Sequence, residues 1–179
     1  MNQGALTQAE SVASGHILTS TYGSGWWPLT DFPALDARTA AWVWNRLLAV
    51  IHLAEWVGWI HGDIAPGVIV LDPVEHGLRL DGWWTAVRSG HRLVVAPTSA
   101  TPPAYKGGKR ADAQLSLAQA ASSLRECSTP SPSIGELLHE TGLRPAGLPK
   151  TLELTRAALH ADFGQRSWHE LAAPSAVAI

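Results

Sequence analysis

The chain has 179 residues, 46% hydrophobic and 16% charged, which is enough apolar content to build a core and too much for wholesale disorder. Its 13 basic and 15 acidic residues nearly cancel, so no electrostatic footprint for nucleic acid is present. The single cysteine, Cys127, excludes an internal disulfide and fits a reducing cytoplasm, and its ordinary reading is a small incidental side chain.

Residues 1–14 are small and polar and read as an unstructured N-terminus, with no basic segment and apolar run of a secretory signal. Further on, Asp36 is placed to cap a helix in which Ala41, Trp44, Leu47, Leu48, Ile51 and Val57 recur at spacings of three, four and seven. Gly58 then offers a stop. Trp42, Val43, Val50, Leu53 and Trp56 widen the apolar surface, which predicts a helix buried on most sides. Asn45, Arg46, His52 and Glu55 interrupt this most apolar stretch, so no membrane span is expected.

Val68-Ile69-Val70-Leu71 is a short apolar run closed by Asp72-Pro73 and Gly77, and Leu78-Arg79-Leu80 follows, which predicts a β-hairpin. A helix is expected from Ala111-Asp112 to about Glu126. Cys127 to Ser133, with Pro130 and Pro132, and Thr141 to Pro149, with Gly142, Pro145 and Gly147, read as loops. The tail from Pro174 is expected to fray, and no internal repeat is evident.

The stretch that carries chemistry is His61-Gly62-Asp63-Ile64-Ala65-Pro66-Gly67-Val68. It resembles the catalytic loop of a protein kinase, in which an Asp stands two residues after a His and an Asn five residues after the Asp. Gly62, where Arg is usual, is a spelling closer to the aminoglycoside-phosphotransferase-like kinases. The hairpin would then deliver Asp81-Gly82-Trp83-Trp84 where kinases carry their metal-binding Asp-Phe-Gly. Counted forward from the loop the metal position falls on Asp81, and counted back from Ala86 it falls on Gly82. Thr101-Pro102-Pro103-Ala104 resembles Ala-Pro-Glu with Ala104 in place of the Glu, and Asp112 stands near the position whose Asp holds the catalytic loop. Leu148 to His169 resembles the last helices, and Arg166 appears without its usual acidic partner, so it is expected to be exposed or paired with Asp162 or Glu170.

The resemblance spans residues 15–173 and implies a mainly α fold with a small β-hairpin, a protein-kinase C-lobe-like domain lacking a complete N-lobe. It makes His16-Ile17-Leu18-Thr19 the last N-lobe strand and Tyr22 to Asp31 the hinge passage. The strings around Asp72-Pro73 and Ala86-Val87 are similar to the kinase-like part of phage proteins described as DnaJ-like chaperonins, although no J-domain His-Pro-Asp occurs.

The departures from this pattern bear on function. Val68 takes the place of the Asn, and a hydrocarbon offers nothing to a hard cation, which takes oxygen ligands. No lysine precedes Lys106, so the phosphate-anchoring Lys is not found ahead of the hinge, and the roughly fifteen residues before the hinge strand are too few for the five-stranded lobe that carries the Gly-rich loop. Asp63 is therefore read as a vestigial base and His61 as a residue packed beneath the loop, with no cofactor held.

Nine tryptophans against two phenylalanines admit two explanations, a core built with Trp or exposed aromatic anchors. Trp26, Trp27 and Trp84 fall near the face an N-lobe would hide and are the candidates for contact with a protein partner or a second copy, with Lys106-Gly107-Gly108-Lys109-Arg110 as an accessory segment. No histidine spacing matches a zinc signature. Two functions follow: a pseudokinase serving as a cytoplasmic binding or scaffold module, or a minimal or split phosphotransferase. In the second, Asp63 is the base, Asp81 holds magnesium, and another chain supplies the ATP-binding lobe.

Overall fold

The computed structural model describes residues 7–12, 15–20, 25–94, 100–165, 167 and 169–174. Arg166, residues 1–6 and 13–14, Tyr22 to Ser24 of the hinge reading and the tail from residue 175 lie outside the described residues. The fold is mainly helical with small antiparallel sheets. Strands β1 (Thr7–Val12) and β2 (Gly15–Ser20) form an antiparallel hairpin with Thr7 opposite Ser20. Residues 7–12, inside the segment expected to be unstructured, are therefore a strand, because β2 supplies the ladder partner for its backbone groups.

Helix α1 (Ala37–Trp56) is the long element around which the rest is laid. Asp36 caps it as expected, its carboxylate accepting the backbone N–H groups of Arg38 and Thr39 at 2.8 and 3.1 Å. It stops at Val57-Gly58, whose N–H groups close onto Leu53 and Glu55 carbonyls. Val43, Trp44, Leu47 and Leu48 are wholly buried. They meet Leu117, Ala121 and Leu124 of α3 (Ala113–Glu126), Ile134 and Leu138 of α4 (Pro132–Leu143), and Leu148 and Ala158 of α5 (Leu148–Phe163) in one core. The expected loops shorten to residues 127–131 and 144–147.

The hairpin is present as β5 (Ile69–Asp72) and β6 (Gly77–Leu80), in register Ile69 to Leu80 and Asp72 to Gly77. Asp72 Oδ1 accepts the N–H groups of Val74 and Glu75 at 3.0 Å and so builds its turn. The short β3 (Trp27–Pro28) adds to β5, giving the order β3-β5-β6. A third pair joins β4 (Trp59–Ile60) to β7 (Val87–Arg88), antiparallel, and brackets everything from the end of α1 to the far side of the hairpin. This bracket has its own small core of Ile60, Val87, Ala111, Leu115 and Tyr105, the last on the one-turn α2 (Pro103–Lys106). Among the described residues no helix is long and apolar enough to cross a membrane.

Two polar side chains tie the helices at distance. Asp162, at the end of α5, accepts from Ser131 Oγ at 2.6 Å and from the backbone N–H groups of Ser133 and Ile134, so it caps the start of α4. The buried Trp44 Nε1 donates to Thr155 Oγ1 at 3.0 Å, joining α1 to α5. Removing that acceptor while keeping the shape strands the indole N–H in the core, so Thr155→Val is expected to lower unfolding free energy by about 1–3 kcal/mol. Urea titration of this variant beside Trp44→Phe and the double variant checks it, and the double variant should cost less than the sum of the two.

Candidate functional site

Between β4 and the hairpin the chain passes through residues 61–65 without regular structure, and its backbone polar groups must find partners elsewhere. His61 is almost completely buried. Its Nε2 lies 2.6 Å from the Asp81 carbonyl oxygen and its Nδ1 lies 3.3 Å from the Asp63 backbone N–H. These two contacts assign the neutral ring with the proton on Nε2, donating to Asp81 and accepting from Asp63. Burial holds the His61 pKa below its ordinary value, against the opposing pull of the Asp81 carbonyl and of the Asp63 and Asp81 charges. Trp83 stands edge-on to the imidazole, ring centres 4.9 Å apart, and its own Nε1 donates to the Leu80 carbonyl.

Gly62 sits where the loop has no room for a side chain. Its φ of +87° is unfavourable for any residue with a Cβ, and a Cβ there would stand 2.7 Å from the Thr85 carbonyl oxygen. Thr85 Oγ1 reaches both the His61 carbonyl, at 2.8 Å, and the Gly82 carbonyl, at 3.0 Å, so the turn over residues 82–85 is bolted to the loop.

From the other side the loop is held by α3. Gln119, fully buried, accepts the Ile64 N–H at 3.2 Å and donates to the Gly62 carbonyl at 2.9 Å and to Thr101 Oγ1 at 3.2 Å. One turn on, Ser123 Oγ donates to the Ile64 carbonyl at 2.8 Å. The loop-holding task expected near Asp112 therefore belongs to Gln119 and Ser123, a correction to the sequence expectation. Asp112 caps α3 through the Leu115 N–H, accepts the Tyr105 hydroxyl and pairs with Lys109 at 3.1 Å. Burial, followed by the bond to Asp112, pushes the Tyr105 hydroxyl up to about 12. The signal for the loop-holding residues is present in the sequence: Gln119 and Ser123 are polar residues four apart on the face of a helix whose neighbours Leu115, Ala118 and Leu124 are apolar.

The candidate chemical groups lie along this frame. Asp63 is half-buried at the loop, immediately after Gly62. Asp81 leaves β6 with its N–H on the Val68 carbonyl, and its carboxylate faces the Arg79 guanidinium, Nε to Oδ1 at 3.2 Å and Nη2 to Oδ2 at 3.4 Å. That guanidinium also lies 4.9 Å from the Trp26 ring centre. Val68 and His61 both stand against Gly82: a Cβ placed on Gly82 would meet Val68 Cγ1 at 3.0 Å and His61 Cε1 at 3.6 Å. A Val68 methyl thus packs against Gly82, the residue after Asp81, and the Asp81 carboxylate is paired with Arg79. Among the described residues no group of three or more His, Cys, Asp or Glu side chains is gathered to hold a metal ion.

The tryptophans divide by position. Trp26 and Trp27 are half-buried, Trp26 under Arg79 and Trp27 opposite Leu71 in the sheet. Trp84 is 55% exposed, and three residues outside the candidate set join it at the surface: Trp56 at 79%, Trp59 at 38% and Trp83 at 40%. Leu53 and Val57 are exposed as well, so the expectation of a helix buried on most sides fails at the C-terminal end of α1. There, Val50, Leu53, Ala54 and Val57 meet Trp59, Trp83 and Ala86 around an apolar groove of about 410 Å³. Arg88 stacks over Trp59, its guanidinium 4.4 Å from the ring centre. The 106–110 segment is exposed, but Lys109 is engaged with Tyr105 and Asp112, and Arg110 donates to the Gly90 carbonyl.

No protein-family model matches this sequence, and no curated protein matches it.

Two outcomes follow from the loop. Gln119→Leu keeps the bulk but leaves the Ile64 N–H and the Gly62 carbonyl buried and unpaired, and it is expected to cost about 2–5 kcal/mol in urea unfolding. The His61 contribution depends on pH. Because the folded state suppresses its protonation, the full contribution is present above its ordinary pKa of 6.5 and is lost as pH falls below that value, until the lowered pKa is reached. The loss runs to about 1.4 kcal/mol per pH unit at most. Unfolding measured at pH 7 and pH 5.5 should show a fall in the native chain that His61→Gln reduces; Asp36 and Asp162, whose pKa values lie below 3.8, do not titrate in this window.

Proposed function

We propose that this chain is a catalytically inactive, kinase-like domain that works as a protein-binding module, receiving an apolar segment of a partner protein on the face edged by Trp56, Trp59, Trp83 and Trp84. The observation that carries the reading is the apolar groove beside a loop whose backbone is held by buried side chains. His61, Thr85, Gln119 and Ser123 all spend their hydrogen bonds on the local backbone, so the shape of the loop serves the fold and not a substrate. The kinship is supported by order: a long helix, a two-residue strand, the His61–Asp63 loop, a hairpin delivering Asp81, and a strand that returns to pair with the one before the loop.

Loss of phosphotransfer is supported by the donor set. Phosphoryl transfer depends on positioning and charge neutralisation, and here Val68 supplies no oxygen and Asp81 is engaged by Arg79. Binding is supported by the aromatic face. Exposed Trp side chains are the residue type that dominates interface energetics; Trp59 and Trp83 line the groove with Leu53 and Val57, and the exposed Trp56 and Trp84 adjoin Val57 and Trp83 in the chain.

The test has two arms. Thermal unfolding with ATP should show no stabilisation that requires magnesium; a magnesium-dependent rise that Asp81→Ala abolishes would overturn the inactive reading and favour a split phosphotransferase with Asp63 as base. For the surface, Trp56→Gln combined with Trp84→Gln is expected to leave stability within about 0.5 kcal/mol, since both are exposed. The pair should nevertheless remove the apolar-peptide or partner binding of the native chain. Sedimentation velocity in which the native chain dimerises and the double variant does not would identify the partner as a second copy.

A further inference from the structure

On the opposite half of α1 lies a second concavity of about 690 Å³, and its chemistry is different. Arg38, Trp42 and Arg46 recur at spacings of four on the outward side of α1, and Arg156, Leu159 and Phe163 recur at three and four on α5, so the facing edges of two packed helices form its walls. His76 of the hairpin turn, His160 and His169 complete the rim, and among the described residues no Asp or Glu lines it. Three arginines therefore line one cavity without a lining carboxylate among the described residues.

The carboxylates nearby are committed elsewhere. Asp36 is occupied by the Arg38 and Thr39 N–H groups and the Thr39 hydroxyl, with His169 Nε2 at 3.6 Å. Asp162 caps α4, and Glu153 pairs with Lys150 at 2.7 Å. Glu75 and Glu170, each beside a lining histidine in the chain, are exposed. Arg38 lies over the Phe163 ring at 5.1 Å and Arg46 over the Trp42 ring at 5.8 Å. Neither Arg46 nor Arg156 makes an ion pair with a described residue. Stacking of this kind holds a guanidinium by its face and leaves its donor edge for an anion.

The geometry points to a binding site for a small phosphate-bearing organic molecule, its phosphate held by Arg46 and Arg156 and its apolar body laid against Trp42 and Leu159. Phosphate suits the site better than a single carboxylate, because its several oxygens can occupy more than one guanidinium fork at once. The volume is in the range of small-molecule sites, about 300–1,000 Å³. This site is separate from the loop and from the apolar groove, and it needs no divalent cation.

The probe is phenyl phosphate, titrated by calorimetry into the full chain at low ionic strength with chelator present. Saturable binding is expected, at least tenfold tighter than inorganic phosphate and than benzoate. Arg46→Gln and Arg156→Gln should each weaken it at least tenfold, while Arg144→Gln, on an exposed arginine outside the cavity, should not. Absence of binding, equal weakening by Arg144→Gln, or benzoate binding as tightly would overturn the assignment. Binding lost in Asp81→Ala and retained in Arg46→Gln and Arg156→Gln would also overturn it, and would count separately against the inactive reading of the loop. A variant that fails to fold is recognised by its urea midpoint, and the lysine substitutions at positions 46 and 156, which keep the charge, then provide the comparison.

Discussion

The constraint on which the rest of the structure depends is the need to satisfy the backbone of residues 62–64, which crosses the interior between two small sheets without a ladder of its own. A buried amide left unpaired costs about 1–3 kcal/mol, so a loop here is tolerable only if some neighbour supplies donors and acceptors in the right places. Gln119 does this from the middle of α3, offering an acceptor to Ile64 and a donor to Gly62 from one side chain, and Ser123 supplies a further donor. A carboxylate could not replace that amide, since it has no N–H to give to the Gly62 carbonyl. The loop is thereby fixed to the helix that also packs against α1, and with it the hairpin exit, because His61 and Thr85 carry the same network to Asp81 and Gly82.

Most of the helical frame was legible because its signals are local. Asp36 ahead of an apolar period, Gly58 at its end, and Asp72-Pro73 between two apolar runs each act within a few residues, and each sits where those signals place it. The polar pair Gln119 and Ser123 on an apolar helix face marks residues with buried work to do, but which distant groups they satisfy is not written locally. Gln119 lies 55 residues from the N–H it accepts, and Asp162 lies 28 residues from one of the N–H groups it caps. Asp112 is the plausible acid near the loop by sequence, but Tyr105 and Lys109, brought close by the one-turn α2, take it instead. The pairing of β1 with β2 escapes the sequence for a related reason: a polar, Gly- and Ser-containing strand has weak alternation, and only its partner reveals it.

The tryptophans show the limit of composition as evidence. A helix apolar on every side is read as buried, and α1 is buried along its centre, where Trp44, Leu47 and Leu48 meet three other helices. Its last turns run beyond those helices, and the same apolar surface there faces outward with Leu53 and Trp56. Trp26 and Trp27 are near in sequence to the face an N-lobe would cover, but the β3-β5 pairing and the Arg79 guanidinium draw them inward. Trp84 alone of the three candidates stands in the open, next in the chain to a ring that lines the groove.

Helix α1 thus presents two surfaces of different chemistry along its length, separated by a core segment that neither can alter cheaply. The N-terminal half carries Arg38 and Arg46 toward α5, where acids have been drawn off to cap and pair elsewhere. The C-terminal half carries Leu53 and Val57 toward Trp59 and Trp83. Close packing at Trp44 and Leu48, together with the Trp44–Thr155 hydrogen bond, fixes the middle of the helix against α5, and the bracket of β4 and β7 follows its C-terminal end. That bracket is only two residue pairs long, and it rests on the loop held by Gln119. Beside the apolar groove the bracket is extended by the Ser89 N–H on the Gly58 carbonyl and by the Arg88 guanidinium on the Val57 carbonyl, so the end of α1 is tied to β7 through backbone acceptors that the helix itself leaves open.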